Sequence, residues 1–302
     1  MEKLLQWSLA QQGNNKEAKE RVGRPDPKAL AQLLGMVQGK DDPTLMKENG
    51  AVLKNEKSTS NEKLVALKSM EALIENLDNA NNLKNMKLWP SILEQLNNED
   101  KEIQALACSC IGSAVQNNPR SQNDFLEESG RSGAFKKILK LASDSTDEYS
   151  RSKALYALSN ITRHSERAYE QFEDLNGWQL IPHLLADEKA SDKLKFRALS
   201  LLSSLISEEV ETANFNTKEG QEKINRLKDD KIVDSILNIL DKDRGINCLD
   251  KAIFILSTLI SHGFEFTDIQ KNGLSSKIEG LDTMKDRLNE DDFKNLRSVV
   301  GK

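Results

Sequence analysis

Hydrophobic residues recur along this chain in one pattern that is repeated five times. Each copy is centred on an alanine, and apolar or small residues follow the alanine after three, four, seven and eight positions. This spacing places one broad apolar stripe on an α-helix. The sequence therefore predicts five amphipathic helices, anchored at Ala66, Ala107, Ala154, Ala198 and Ala252.

The intervals between the anchors indicate a repeat architecture. By subtraction of residue numbers they are 41, 47, 44 and 54 residues, and armadillo or HEAT repeats have periods of about 40 to 47 residues. A second, shorter apolar helix precedes each of the last four anchored helices, at 88–96, 133–139, 177–185 and 232–240. We therefore predict an all-α fold, an armadillo-like right-handed solenoid of helical repeats over residues 44–282. The polar segment 207–230, which contains helical stretches, is interpreted as an insertion in the fourth repeat.

The two ends of the chain differ from the repeats. Residues 1–43 are predicted to form a flexible N-terminal arm with short amphipathic helices, because such a segment cannot bury much surface alone. Its first apolar cluster contains Leu4, Leu5, Trp7 and Leu9. Trp7 has no obvious packing partner there, which favours a binding role for the arm. Residues 283–302 are predicted to form a C-terminal capping helix.

The composition excludes several classes of protein. The 302 residues include 43 Lys and Arg against 48 Asp and Glu, for a net charge of −5, and the basic residues are scattered. This distribution argues against nucleic acid as a partner. No run approaches the ~20 apolar residues of a membrane span, and the first residues are too polar for a signal peptide. We expect a cytoplasmic chain without membrane contact, and the three cysteines fit a reducing compartment.

Residues that could support catalysis do not converge in the sequence. His164, His183 and His262 lie far apart, at predicted helix ends or in the second helices. Cys108 and Cys110 are two positions apart on a helix, so their side chains diverge and cannot bind one metal ion. There is no phosphate-binding loop, dinucleotide fingerprint or nucleophile elbow. We therefore expect no enzyme activity, no cofactor and no metal.

A surface remains as the candidate site. Positions −1, +2 and +6 from each anchor lie at about 260°, 200° and 240° on the helix, opposite the apolar stripe. In an armadillo array these positions would line the concave groove, and we call them the anchored-helix face. They are Val65, Lys68, Ala72, Leu106, Ser109, Ser113, Lys153, Tyr156, Asn160, Arg197, Ser200, Ser204, Lys251, Phe254 and Thr258. A basic stripe through Lys153, Arg197 and Lys251 suggests an acidic protein surface as ligand; a merely solvated face is the alternative.

Several stretches outside the repeat pattern resemble the Fes/HspBP family. They are residues 1–8, 24–27, 41–48, 75–83, 117–122 and 285–293, and the Asn-Leu-Asp-Asn-Ala-Asn element within 75–83 is the most specific. The resemblance covers nearly the whole chain and is closest to fungal cytosolic members. The family consists of armadillo-type nucleotide exchange factors for seventy-kilodalton heat-shock (DnaK-type) chaperones.

The resemblance implies a partner and a mechanism. The concave face would bind the nucleotide-binding domain of a cytosolic seventy-kilodalton chaperone in its ADP-bound form and accelerate ADP release. The arm, through Leu4, Leu5, Trp7 and Leu9, would promote release of the polypeptide that the chaperone holds. The chain is expected to act as a monomer.

The expected chaperone-binding residues come from the resemblance and from the anchored-helix face. Ala80 is expected in an exposed turn just past the first anchored helix, close to the partner. Arg197 stands in residues 194–198, which match the family stretch whose arginine engages the chaperone; an idle arginine paired with Asp192 is the alternative. The face adds Lys153, Tyr156, Asn160, Lys251 and Phe254.

Other armadillo functions remain as alternatives. Karyopherin-like carriers repeat Trp-x-x-x-Asn at the +2 and +6 positions, and here only Tyr156 with Asn160 approaches that pattern. An endoplasmic-reticulum member of the same family would need a signal peptide and a retention tail, and the chain ends in Val-Val-Gly-Lys. The alternative that we keep is an armadillo-type peptide-binding adaptor or carrier without exchange activity.

Overall fold

The computed structural model describes residues 40–144, 146–212, 217–229 and 231–300, without the side chains of 207–212 and of Glu219. The chain divides into two compact units, Met1–Glu48 and Asn49–Lys302. In the described part of the first unit, residues 40–48, Lys40 forms an ion pair with Glu48 at 2.6 Å. The expected boundary after residue 43 and the flexible arm stay predictions, because residues 1–39 lie outside the described residues.

The described residues form helices and no β-strand. The helices are α1 (Asp42–Lys54), α2 (Ser60–Ile74), α3 (Leu77–Asn85), α4 (Trp89–Glu94), α5 (Lys101–Val115), α6 (Pro119–Ser132), α7 (Ala134–Asp144), α8 (Glu148–Thr162), α9 (Glu166–Asp174), α10 (Leu180–Ala186), α11 (Asp192–Thr212), α12 (Lys218–Asp229), α13 (Ile232–Ile239), α14 (Ile246–Ser261), α15 (Asp268–Leu281) and α16 (Glu290–Val300). Short 3₁₀ segments occupy Gln95–Asn97, Gly177–Gln179 and Asp282–Arg287.

The second compact unit is an array of three-helix repeats. Helices α3–α5, α6–α8, α9–α11 and α12–α14 form four repeats, and the third helix of each is an anchored helix. The anchored helices α2, α5, α8, α11 and α14 pack against one another in chain order, and α16 packs against α14. The predicted all-α armadillo-like fold is confirmed.

The same backbone turn recurs in every repeat. Between the first and second helices, one residue adopts a positive φ: Lys87 at 56°, Gly133 at 68°, Asn176 at 57° and Lys231 at 54°. Non-glycine residues are uncommon in this conformation, and it often ends a helix sharply. The backbone conformation between the first and second helices therefore repeats together with the apolar pattern.

Side-chain caps begin several of the helices. At the start of α2, Thr59 and Glu62 form a reciprocal capping box. Other caps accept a hydrogen bond from a backbone N–H of the first turn, which would otherwise be unsatisfied. They are Asn76 before α3, Asp100 before α5, Asn118 before α6 and Asp147 before α8.

The core follows the predicted apolar stripe. Ala66 is 3% exposed, and the other four anchors have no exposed surface. Because a methyl group fills little space, neighbouring anchored helices can approach closely at these points. The largest buried side chains include Trp89 and Trp178, each 1% exposed and each near the start of a second helix.

The interpretation of residues 207–230 as an insertion is wrong for residues 218–229. Half of this segment is α12 (Lys218–Asp229), the first helix of the fourth repeat. The long interval between the anchors Ala198 and Ala252 has two causes. Helix α11 has 21 residues, whereas α5 and α8 have 15 each, and residues 213–216 separate α11 from the next repeat. The predicted C-terminal helix also begins later than expected, at Glu290 after a 3₁₀ segment.

No helix in the part of the chain that the structure describes combines the length and the apolar character needed to cross a bilayer.

The anchors give a stability prediction. Ala154→Leu would force extra methyl groups between close-packed helices, so we expect it to lower the free energy of unfolding by about 1–3 kcal/mol. Ala72→Leu, at an exposed position of α2, is the control and should change it by no more than about 0.5 kcal/mol. Denaturant unfolding followed by circular dichroism measures both. Equal effects would show that the anchors do not set helix spacing.

Candidate functional site

The predicted anchored-helix face is only partly accessible. Val65, Lys68, Ala72 and Phe254 are exposed, and most of the other positions are half-buried. Four positions that were expected to face the groove are buried: Leu106 at 3% exposure, Ser109 at 0%, Ser204 at 3% and Thr258 at 8%. That expectation is wrong for these residues, because neighbouring elements of the array cover them.

Tyr156 and Arg197 form the centre of the accessible face. The guanidinium carbon of Arg197 lies 5.0 Å from the centre of the Tyr156 ring, within the range of a cation–aromatic contact. The Tyr156 hydroxyl donates to Oε1 of Gln116 at 3.1 Å and lies 3.4 Å from the Ser113 hydroxyl. This contact joins α8 and α11, the third helices of two successive repeats. Ser113 on α5 and Gln116 directly after α5 hold the tyrosine hydroxyl.

Gly112 makes room for the Tyr156 ring. A Cβ at Gly112 would lie 2.7 Å from Cδ1 of Tyr156 and 3.2 Å from Cα of Ala157. Any larger residue would therefore displace the ring or separate α5 from α8. Sequence reasoning missed this residue, although a glycine inside a predicted helix costs about 1 kcal/mol relative to alanine and so signals a packing reason.

Lys153 is held by a network that joins three successive anchored helices, α2, α5 and α8. Its ammonium donates to the Ser109 hydroxyl at 2.7 Å and lies 3.9 Å from Oε1 of Glu71. The Ser109 hydroxyl also donates to Glu71. The predicted basic stripe is thus interrupted, because Glu71 on α2 balances the charge of Lys153 on α8.

Arg197 is not paired with Asp192, so that alternative is wrong. Asp192 instead binds Arg244 at 3.1 Å and accepts the backbone N–H of Gly245 at 2.5 Å. Among the described residues, no carboxylate lies within ion-pair distance of Arg197. Burial lowers the pKa of the Arg197 guanidinium from its ordinary value, yet arginine stays charged at neutral pH.

Lys251 and Phe254 lie one repeat further along the face. The Lys251 ammonium is 4.5 Å from the centre of the Phe254 ring and donates to the Ser203 hydroxyl at 3.0 Å. Burial, with a smaller contribution from the nearby Arg163, lowers the pKa of Lys251 to about 8. Phe254 is 40% exposed and can offer its ring to a partner.

Asn160 is used mainly inside the array. Its side-chain amide donates to the backbone carbonyl of Tyr156 at 3.1 Å, and the backbone carbonyl of Asn160 accepts from Nε2 of Gln122 at 2.9 Å. One side-chain donor is thus engaged by its own helix. Of the predicted binding residues, it offers less to a partner than Tyr156 or Arg197.

The expectation that Ala80 lies in an exposed turn is wrong. Ala80 is inside α3 and only 2% exposed. The adjacent Asn79 is 7% exposed and donates from its amide to the Leu73 carbonyl at 2.9 Å. The prediction failed because the interval after the anchored helix contains a further helix, and Ala80 lies on the buried face of that helix. The methyl group packs in the core and cannot make the expected contact.

Leu4, Leu5, Trp7 and Leu9, the predicted residues of the arm, lie outside the described residues. Where side chains are described, no group of three or more His, Cys, Asp or Glu residues could hold a metal ion. The groups that the face does offer are cations and aromatic rings, which can bind carboxylates and apolar surface by non-covalent contacts.

The fold defines the chain as an armadillo-like repeat protein. A designed armadillo repeat protein, YIII(Dq)4CqI, superposes with a TM-score of 0.63 over 85% of this chain and 98% of its own length. The sequences are 16% identical, so the similarity concerns the fold.

Sequence comparison specifies the family within this class. The model of the SIL1/FES1/HPBP1 C-terminal domain matches residues 79–242, and the model "Nucleotide exchange factor Fes1" matches residues 1–83. The chain is 42% identical to the Hsp70 nucleotide exchange factor FES1 of Kluyveromyces lactis, over 99% of both chains. The protein of the same name from Saccharomyces cerevisiae is also 42% identical, over 99% of this chain and 100% of its own. The chain belongs to the SIL1/FES1/HPBP1 family, as the resemblance predicted.

Lys251 gives a pH-dependent prediction. Its pKa is about 8 in the folded chain against an ordinary value of 10.5. Between these values the unfolded chain binds more protons than the folded chain, so this lysine makes stability rise with pH. The free energy of unfolding of the wild type minus that of Lys251→Met should therefore increase from about pH 8 upward. Denaturant unfolding at several pH values measures it, and a constant difference would mean that Lys251 titrates at its ordinary pKa.

Proposed function

We propose that this protein is a nucleotide exchange factor for cytosolic seventy-kilodalton heat-shock chaperones. It binds the nucleotide-binding domain of the ADP-bound chaperone through the anchored-helix face and accelerates ADP release. Family membership and the name shared by the relatives support this proposal. The structural observation that carries it is Arg197, a half-buried cation that stacks on Tyr156 and has no carboxylate partner among the described residues.

The mechanism requires no covalent step. A protein that binds the open nucleotide cleft more tightly than the closed one shifts the chaperone toward the open state, and ADP then dissociates. The size of that shift is set by the difference between the two affinities. A repeat array suits this task because each anchored helix packs against the next. The distances between binding residues on the face therefore stay fixed while the two lobes of the chaperone move relative to each other. The protein is accordingly a co-chaperone and not an enzyme.

The N-terminal arm supplies a second part of the proposed function. Leu4, Leu5, Trp7 and Leu9 provide an apolar segment that competes with the polypeptide held by the chaperone. This part of the proposal is supported by the match of residues 1–83 to the Fes1 model and by the apolar pattern itself. We also propose that the protein acts as a monomer in the cytoplasm.

The alternative of a peptide carrier has less support. An extended groove peptide would need the aromatic and asparagine pair in several repeats, and only Tyr156 with Asn160 approaches it. The Asn160 amide, moreover, donates to the carbonyl of Tyr156 in its own helix.

Arg197→Ala tests the proposed function. Removing this guanidinium should weaken binding to the ADP-bound nucleotide-binding domain by about 2 kcal/mol or more, as for other interface hot spots. Acceleration of ADP release, followed with a fluorescent nucleotide, should fall in parallel. The matched control is Arg120→Ala, which removes an exposed arginine from the first turn of α6, away from the anchored-helix face.

Two results would contradict the proposal. If the wild-type protein does not accelerate ADP release at micromolar concentration, it is not an exchange factor for that chaperone. If it does, but Arg197→Ala and Arg120→Ala behave alike and keep the wild-type melting temperature, the chaperone binds elsewhere on the array.

The arm is tested in the full-length chain. Replacing Leu4, Leu5, Trp7 and Leu9 together by serine removes the apolar segment without shortening the protein. We expect ADP release to stay near the wild-type rate, because the anchored-helix face is unchanged. Release of a fluorescent model peptide from the chaperone should become slower. Equal peptide release by the two proteins would show that the arm has no such role.

A further inference from the structure

Two residues outside the predicted site extend the anchored-helix face. Tyr149, in the first turn of α8, is 38% exposed, and Lys193, in the first turn of α11, is exposed. The Lys193 ammonium lies 5.9 Å from the centre of the Tyr149 ring. The Lys153 ammonium is 5.8 Å from the centre of the same ring.

These contacts continue into the centre of the site. Lys153 is also 6.0 Å from the Tyr156 ring, which in turn carries Arg197 at 5.0 Å. Cations and rings thus alternate in the order Lys193, Tyr149, Lys153, Tyr156 and Arg197, and we call this series the cation–aromatic ladder. It joins α8 and α11, the third helices of two successive repeats.

The carboxylates near the ladder already have partners. Glu102 binds Lys68 at 3.2 Å, and Glu71 is engaged by Ser109 and Lys153. Both acids lie close enough to Tyr149 to add to the effect of burial in raising its phenol pKa.

Two further carboxylates, on the residues that begin α8 and α11, are also engaged. Glu148 accepts a hydrogen bond from Ser191, and Asp192 binds Arg244. Within the described residues, neither Lys193 nor Arg197 has a carboxylate at ion-pair distance.

The ladder therefore has a defined charge arrangement. Lys153, in the middle, is balanced by Glu71, while the two ends remain uncompensated. Lys193 and Arg197 are four residues apart on one helix, so their Cβ atoms lie about 6 Å apart. Two carboxylates one helical turn apart on a partner would match this spacing.

We propose that the cation–aromatic ladder docks an acidic segment of the chaperone's nucleotide-binding domain, with Lys193 and Arg197 each facing a carboxylate. Tyr149 and Tyr156 provide the stacking surfaces that hold these cations, and Lys153 is a positioning residue. The inference rests on the proposed function and adds Lys193 and Tyr149 to the binding surface. Charge complementarity is its basis, because only an anionic partner compensates two unpaired cations held side by side.

Lys193→Ala is the first test. Affinity for the ADP-bound nucleotide-binding domain, measured by titration calorimetry at low salt, should fall by about fivefold. The matched control is Lys189→Ala, which removes an exposed lysine from the turn before α11 and should leave affinity unchanged. The affinity of Lys193→Ala should also depend less steeply on salt concentration than that of the wild type, since one charged contact has been lost.

Tyr149 tests the role of the ring. Tyr149→Phe keeps the ring and should retain wild-type affinity, whereas Tyr149→Ala removes the stacking surface and should weaken binding to the same degree as Lys193→Ala. Loss of binding in both tyrosine variants would contradict a stacking role. Melting temperatures measured in parallel identify any variant that is simply less folded.

The outcomes separate this inference from the proposed function. If the wild type accelerates ADP release but Lys193→Ala matches Lys189→Ala in affinity and salt dependence, the ladder is not the docking surface and the exchange function stands. If the wild type neither binds the chaperone nor accelerates release, both proposals fail. A wild-type affinity that is insensitive to salt would also overturn the acidic-segment assignment.

Discussion

The close approach of the alanine-anchored helices is the constraint on which the rest of this array depends. Ala107, Ala154 and Ala198 have no exposed surface, so the backbones of α5, α8 and α11 can lie near one another. Flanking side chains then reach the neighbouring repeat: Lys153 bonds to Ser109, Tyr156 to Gln116 and Lys251 to Ser203. The anchored-helix face is therefore a set of contacts between repeats rather than a row of independent side chains.

Those contacts decide which charges the face leaves for a partner. Glu71 on α2 balances the charge of Lys153 on α8, and Asp192 is bound by Arg244 and by the backbone N–H of Gly245. Asp192 is the nearest acid in sequence to Arg197, but it is engaged from the following repeat instead. The availability of Arg197 thus depends on the residues that follow α13, more than forty positions away in the sequence.

The features that were predictable from sequence are those that one helix determines alone. The apolar period located the anchored helices, their buried stripe and the second helices, because the direction of a side chain follows from about 100° per residue. Burial of Ser109 and Ala80 was not predictable in this way, since it depends on which helix lies opposite. The first helices of the repeats were not recognised as parts of the repeat, because α3 and α12 are polar along much of their length. The residues of α3 were interpreted as a turn, and the helical stretches within 207–230 as an insertion.

Gly112 links this packing constraint to binding. A glycine inside α5 destabilises the helix by about 1 kcal/mol relative to alanine, yet it lets the Tyr156 ring lie against the backbone, where a Cβ would clash. The ring then restrains Arg197 before any partner arrives. A free arginine side chain loses up to about 2 kcal/mol of conformational entropy when it is fixed, and an arginine that is already restrained loses less on binding. Under the proposed function, in which the protein binds one conformation of its partner better than another, a cation whose position is set in advance offsets the local cost at Gly112.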